Sequence, residues 1–256
     1  MKKIIFLFTI VIISLSSFAQ IDSTKSKVEF NPMLTIMSRN YSRGANFGDG
    51  VSIQPNVEIS YKKVTFGILA ALTDNKKFNY GTTFDSYLSC KVKRFTFGVH
   101  DFYFANKVDS LNDFFFQTRK EYMYDSTKYY KDGHYLEFQV KYNTKKFYLL
   151  ASYNFYNTTC DIYESTIYLE SKYMLTDNFG VAFGFTSGAS AVNFYGDKYN
   201  NGVGVTCIGL DWLKKIEISE GLFPELKVRF RVNPNYKNIS SDIQSTPINM
   251  IVSLAF

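Results

Sequence analysis

His100 and His134 are the chain's only imidazoles, and they bound the chemistry it can carry out. A Ser-His-Asn hydrolase working against lipid places its serine two residues after the histidine. Here His134 is followed by Tyr135 and Leu136, and His100 by Asp101 and Phe102, so neither position supplies a nucleophile. His100 and Asp101 are sequence neighbours, and on a strand they point to opposite faces, which rules them out as the Asp-His pair of an aspartate-based protease. Two histidines exclude a His-rich metal site, and the acidic residues show no EF-hand spacing. Cys90, Cys160 and Cys207 are too few and too far apart for a disulfide framework or a metal cluster. No helix follows the glycine-rich strings, so a phosphate-binding loop is excluded. The expectation is a protein that is not an enzyme and that uses no cofactor.

What remains is charge held at regular spacing, and the elements that carry it are strands. From Val51 to Tyr61, Val51, Ile53, Pro55, Val57, Ile59 and Tyr61 face one way, and Ser52, Gln54, Asn56, Glu58 and Ser60 the other. The same period of two recurs around Phe66, Phe97, Phe138, Leu149, Ile167, Val181 and Val228. Less regular strands are placed near Met33, Thr83 and Val203, and a closing one runs from Ile248 to Phe256. The count is about twelve (10–14). The stretch from Val203 to Ser219 reads either as one long strand with a bulge or as a strand and a turn. On the polar faces lie Glu58, Lys91, Glu137, Lys141, Glu170, Lys172, Lys227, Arg229 and Arg231, with Asp85 and His100. Charges facing an interior are tolerable only when hydrated or paired. Lys227, Arg229 and Arg231 form a basic strip on one strand; in a pore it would favour anions, and otherwise it would pair with Glu137 or Glu170 across the interior.

The connections sort by length. They fall at 43–50, 62–63, 74–82, 93–94, 106–132, 143–146, 157–160, 175–178, 188–202, about 219–221 and 235–247. Long and short nearly alternate, with 157–160 the exception. Transmembrane barrels have short periplasmic turns and longer outer loops, whereas a soluble sandwich has no reason to sort loops by parity. Tyr61, Phe66, Phe95, Tyr142, Phe147, Tyr173 and Phe179 gather at the short turns, as an interfacial aromatic girdle would. Gly44, Gly48 and Gly50 fit a turn-rich first outer loop.

Met1–Lys2–Lys3, the apolar run Ile4–Leu15 and the small residues Ser17 and Ala19 read as a secretory signal peptide over residues 1–19. Removing those 19 of the 256 residues leaves 237, residues 20–256, which make a single barrel domain. Taking Lys2 and Lys3 from 29 basic residues leaves 27 against 23 acidic ones, scattered without a patch, so nucleic acid is not expected as a partner. No later segment reaches the ~18 apolar residues of a membrane helix. The whole is therefore expected to be an all-β transmembrane antiparallel barrel in the outer membrane of a Gram-negative bacterium. Its partners would be outer-membrane lipid, lipopolysaccharide, the barrel-assembly machinery (through a signal at Phe256) and a small polar solute.

The run Tyr41–Ser42–Arg43–Gly44, then Gly48–Asp49–Gly50, Gln54–Pro55, Tyr61 and Phe66–Gly67, resembles the opening of the TorF-type porin family. Tyr168–Leu169–Glu170 and Phe194–Tyr195–Gly196 extend the likeness. The resemblance implies an outer-membrane barrel passing small polar or anionic solutes by passive diffusion. The alternative is a closed barrel acting as a structural or surface-binding protein through its long outer loops.

Overall fold

A computed structural model describes residues 28–43, 45–48, 50–73, 82–105, 133–157, 166–187, 203–219, 223–234 and 247–256. Signal segment 1–19, Cys160 and connections 106–132 and 188–202 lie outside the described residues.

Twelve strands close into an antiparallel barrel. They are β1 (Val28–Met37), β4 (Ser52–Tyr61), β5 (Val64–Thr73), β6 (Thr82–Val92), β7 (Phe95–Ala105), β8 (Gly133–Asn143), β9 (Phe147–Asn157), β10 (Thr166–Met174), β11 (Phe179–Ser187), β12 (Val203–Lys215), β13 (Glu225–Val232) and β14 (Ile248–Ala255). The order in the sheet is the order in the chain, and β1 returns to β14, so no strand edge is left unpaired. Two short strands, β2 (Asn40–Ser42) and β3 (Ala45–Gly48), pair only with each other.

Alternation decides which side chains face out. Ile53, Ile59, Phe66, Ile68, Phe97, Val99, Phe138, Ile167, Phe183, Leu210, Trp212, Phe230 and Met250 are large, apolar and exposed on the outer surface. Ser52, Glu137, Gln139, Ser152, Asn154, Asp211, Arg231, Asn249 and Ser253 are polar and buried inside. A water-soluble sheet protein would carry the reverse pattern; this one matches an outer-membrane barrel. Among the described residues no helix is long and apolar enough to cross a membrane, which leaves spanning by strands unaffected.

The turns 62–63 and 93–94 are two residues long, and Lys62 and Lys93 each take a positive φ of 56° there. The connections at that end are 62–63, 93–94, 144–146, 175–178 and 216–224; those at the other are 38–51, 74–81, 106–132, 158–165, 188–202 and 233–247. Two expected boundaries shift. The 157–160 connection runs over 158–165, because β9 continues through Asn157 and β10 begins only at Thr166, and this removes the exception to the long series. The 219–221 connection widens to 216–224. Phe95, Tyr142 and Phe147 cluster beside the short turns, with ring centroids 5.0 and 6.2 Å apart along the row. Val203–Lys215 is one strand of 13 residues, with a register shift opposite Gly184/Phe185.

The largest correction concerns the first long connection. The glycines of residues 43–50 predict a turn-rich outer loop. Instead β2 and β3 form a hairpin folded into the barrel. Tyr41 packs with Met37 and Ile251 in a small apolar cluster on the inner wall, and Asn40, Arg43 and Asn46 are buried.

Candidate functional site: an inserted hairpin across the lumen

The hairpin tip delivers Arg43, which sits at φ 51°, a left-handed backbone conformation uncommon for residues other than glycine. Its guanidinium reaches the opposite wall and bonds Glu137 of β8 through both nitrogens: Nη1 donates to Oε1 at 2.5 Å and Nη2 to Oε2 at 2.6 Å. Such fork-to-fork pairing is the strong and directional form of the ion pair. The Gln139 amide donates a further bond to Glu137 at 3.1 Å. The guanidinium also lies over the rings of Phe102 (5.2 Å) and Tyr168 (4.8 Å), so β7 and β10 hold it from either side.

Local irregularities in the wall serve this arrangement. The β8–β9 register shifts between Leu136 and Glu137, so the bulge falls at the carboxylate that receives Arg43. Bulges commonly re-aim a side chain in this way. The β11–β12 shift at Gly184 lies beside Tyr168: a Cβ on Gly184 would stand 3.3 Å from the tyrosine hydroxyl and closer still to Thr206. Tyr168 donates its hydroxyl to Glu170 at 2.8 Å, and Glu170 in turn pairs with Lys172 at 2.6 Å. The chain of contacts therefore runs from Arg43 over Tyr168 to Glu170 and Lys172, spanning hairpin and wall.

The expected site residues separate into groups. Glu137, Glu170 and Lys172 belong to the network just described. Glu58 accepts a 2.5 Å bond from the Tyr87 hydroxyl; the Tyr87 ring lies across Gly67, where any Cβ would collide with it, and stacks on His100 at 4.9 Å. Lys91 takes an inward position in the register but is exposed, next to the 93–94 turn. Lys141, Lys227 and Arg229 face inward and are partly covered. Arg231 is buried and bonded to Asp211 of β12, and it also donates to the Leu210 carbonyl at 2.9 Å. Glu137 and Glu170 thus pair with Arg43 and Lys172, whereas one of the two readings of the basic strip paired it with them across the interior. Asp211 takes that role because β12 lies beside β13, with Asp211 opposite Arg229 and Gly209 opposite Arg231. Gly209 leaves the space for the arginine stem.

Sequence reasoning missed Arg43 and Asp211. It could have found Arg43 from the unanswered charge of Glu137, which needed a cation on another element. The two histidines also part company: His100 faces in, while His134 pairs with Asp101 at 2.8 Å on the outward register and lies tilted against Tyr103, with ring centroids 4.7 Å apart. Among the described residues no group of three or more His, Cys, Asp and Glu side chains could hold a metal.

Phe256 lies at the seam. Its N–H donates to the Leu34 carbonyl at 2.9 Å, and its own carbonyl accepts from the Leu34 N–H at 3.3 Å. The β1–β14 ladder itself pairs only Thr35, Ile36 and Met37 with Ala255, Leu254 and Ser253. No family model and no curated protein matches the chain.

Proposed function

We propose that the protein is an outer-membrane channel for small polar solutes, narrowed from within by hairpin 40–48. The observation carrying this reading is the bidentate Arg43–Glu137 clasp, which holds a loop-derived hairpin across the interior of a barrel with an apolar outer face. Twelve strands fall between small barrels filled by their side chains and the 16–18-stranded porins with wide aqueous channels. At that size one inserted hairpin decides how much water passes. The likeness of Tyr41–Ser42–Arg43–Gly44 to the opening of TorF-type porins agrees with this, and Arg43 of that run forms the clasp. Delivery would use the signal segment 1–19 and the assembly machinery, with lipid and lipopolysaccharide around the apolar band.

The test is conductance of the refolded chain from Gln20 in a planar lipid bilayer. The wild type should give small discrete steps, and replacing 40–48 by a short Gly-Ser link should enlarge them severalfold. A folded, heat-modifiable barrel that stays silent in both forms would overturn the channel and favour a closed barrel that binds partners through its long loops. The fully satisfied Arg43–Glu137 pair is the feature that gives this second reading its weight.

A further inference from the structure

Beside the hairpin lies a partly open cavity of about 200 Å³. Residues of the hairpin, of β1 and of the wall strands β4 to β7 and β13 line it. At roughly 30 Å³ per liquid water, it has room for a handful of waters or one solute the size of an amino acid or dipeptide. Two of its lining groups, Asp85 and Arg229, are opposite in charge and form no ion pair among the described residues, whereas Arg43, which also lines the cavity, is engaged by Glu137.

Most inward charges near the hairpin are answered: Arg43 by Glu137, Lys172 by Glu170, Arg231 by Asp211. Asp85 and Arg229 are different. Among the described residues, a buried carboxylate oxygen of Asp85 (Oδ1) has no hydrogen-bond partner, and neither has Nε of Arg229. The polar contact of Arg229 is a 3.8 Å approach of Nη2 to the Met37 sulfur. Neither residue has an oppositely charged side chain within ion-pair distance among the described residues. Burying a charge without a partner is costly. Two such charges of opposite sign facing one compartment are complementary to a molecule that carries both. Between them, Asn40 and Gln54 offer amide groups, while Leu69 and Phe102 supply an apolar patch.

We propose that this cavity is a binding subsite for a small zwitterion bearing a primary ammonium and a carboxylate, a free amino acid or a short peptide. Asp85 receives the ammonium, Arg229 the carboxylate, and the amide side chains meet the group between. The inference deepens the channel reading by naming the solute class, and it needs only that the interior be reachable from water.

The experiment is calorimetric titration of the refolded full-length mature chain in octyl glucoside micelles with L-alanyl-L-alanine and, separately, with methylammonium and with propionate. The dipeptide should bind saturably, each single-charge probe at least tenfold more weakly, and 0.5 M NaCl should weaken the dipeptide severalfold. Asp85→Asn and Arg229→Gln should each weaken it tenfold or more, with Lys63→Gln at a turn unchanged. The wild-type comparisons decide the matter even if a variant fails to fold. No binding would mean a merely hydrated cavity, and methylammonium or propionate binding as well as the dipeptide would mean a simple ion site; either overturns the proposal. Conductance measured alongside separates the two readings. A barrel that conducts but does not bind loses only the subsite, and one that binds but never conducts loses the channel.

Discussion

Arg43 concentrates the energetics of this molecule in one side chain. Its backbone is held in the left-handed region, a strain of roughly 1–3 kcal/mol that persists only where surrounding contacts over-determine it. The contacts that do so are the Glu137 fork and the two aromatic rings. A buried pair contributes little relative to an apolar substitute, but removing one partner strands the other charge at a cost of about 3–5 kcal/mol. Arg43→Ala should therefore lower stability by about that amount, measured by urea unfolding in micelles, and should enlarge the conductance steps as the hairpin loses its hold. Adding Glu137→Gln should recover most of the stability, because no charge is then left unanswered, while the enlarged conductance stays. Additive losses of stability in the double variant would contradict the pairing as the source of the effect.

At the scale of elements, the seam is the weakest join. Neighbouring strands elsewhere share about eight or more partners in register, whereas β1 and β14 share three, extended at one end by the two backbone bonds of Phe256 to Leu34 and at the other by bonds between Ser38 and Val252. Truncation before Phe256 should lower the fraction of chain that becomes heat-modifiable on refolding into lipid, compared with Phe256→Ala, which keeps the backbone bonds. Equal refolding of both would assign the residue's importance to its side chain. The strands themselves were legible in the sequence because an apolar exterior and a polar interior impose a period of two on each of them, and closure into a barrel sorts the connections by parity. The hairpin was not legible. Residues 40–48 are short, polar and rich in Gly and Asn, the composition of any exposed turn, and insertion is decided by contacts with β7, β8 and β10 that lie far off in sequence. Pairing partners within the wall were hidden for a similar reason: Asp211 stood in the stretch whose alternation is broken by a register shift, so the carboxylate answering Arg231 could not be put on the inner face.

For the molecule as a whole, the basic strip on β13 divides into two kinds of charge. Arg231 and Asp211 are almost wholly buried, with side chains 5% and 4% exposed, and they form a closed pair. That pair presents little net charge to an ion in the interior. Arg229, two residues away on the same face, approaches the Met37 sulfur, has no ion-pair partner among the described residues, and faces the cavity beside the hairpin. The same substitution should then produce different phenotypes at two like residues. Arg231→Gln strands Asp211 and should lower stability by about 3–5 kcal/mol, with little change in ion preference. Arg229→Gln should leave stability nearly unchanged, because Arg229 has no ion-pair partner among the described residues, while shifting the reversal potential in a salt gradient away from anion preference, and Arg229→Glu should shift it further. The direction follows from position: a luminal charge without a partner sets the potential along the path, and a charge already paired does not. An unchanged reversal potential for Arg229→Glu in a conducting, folded barrel would show that ions pass elsewhere and that the strip has only a structural part.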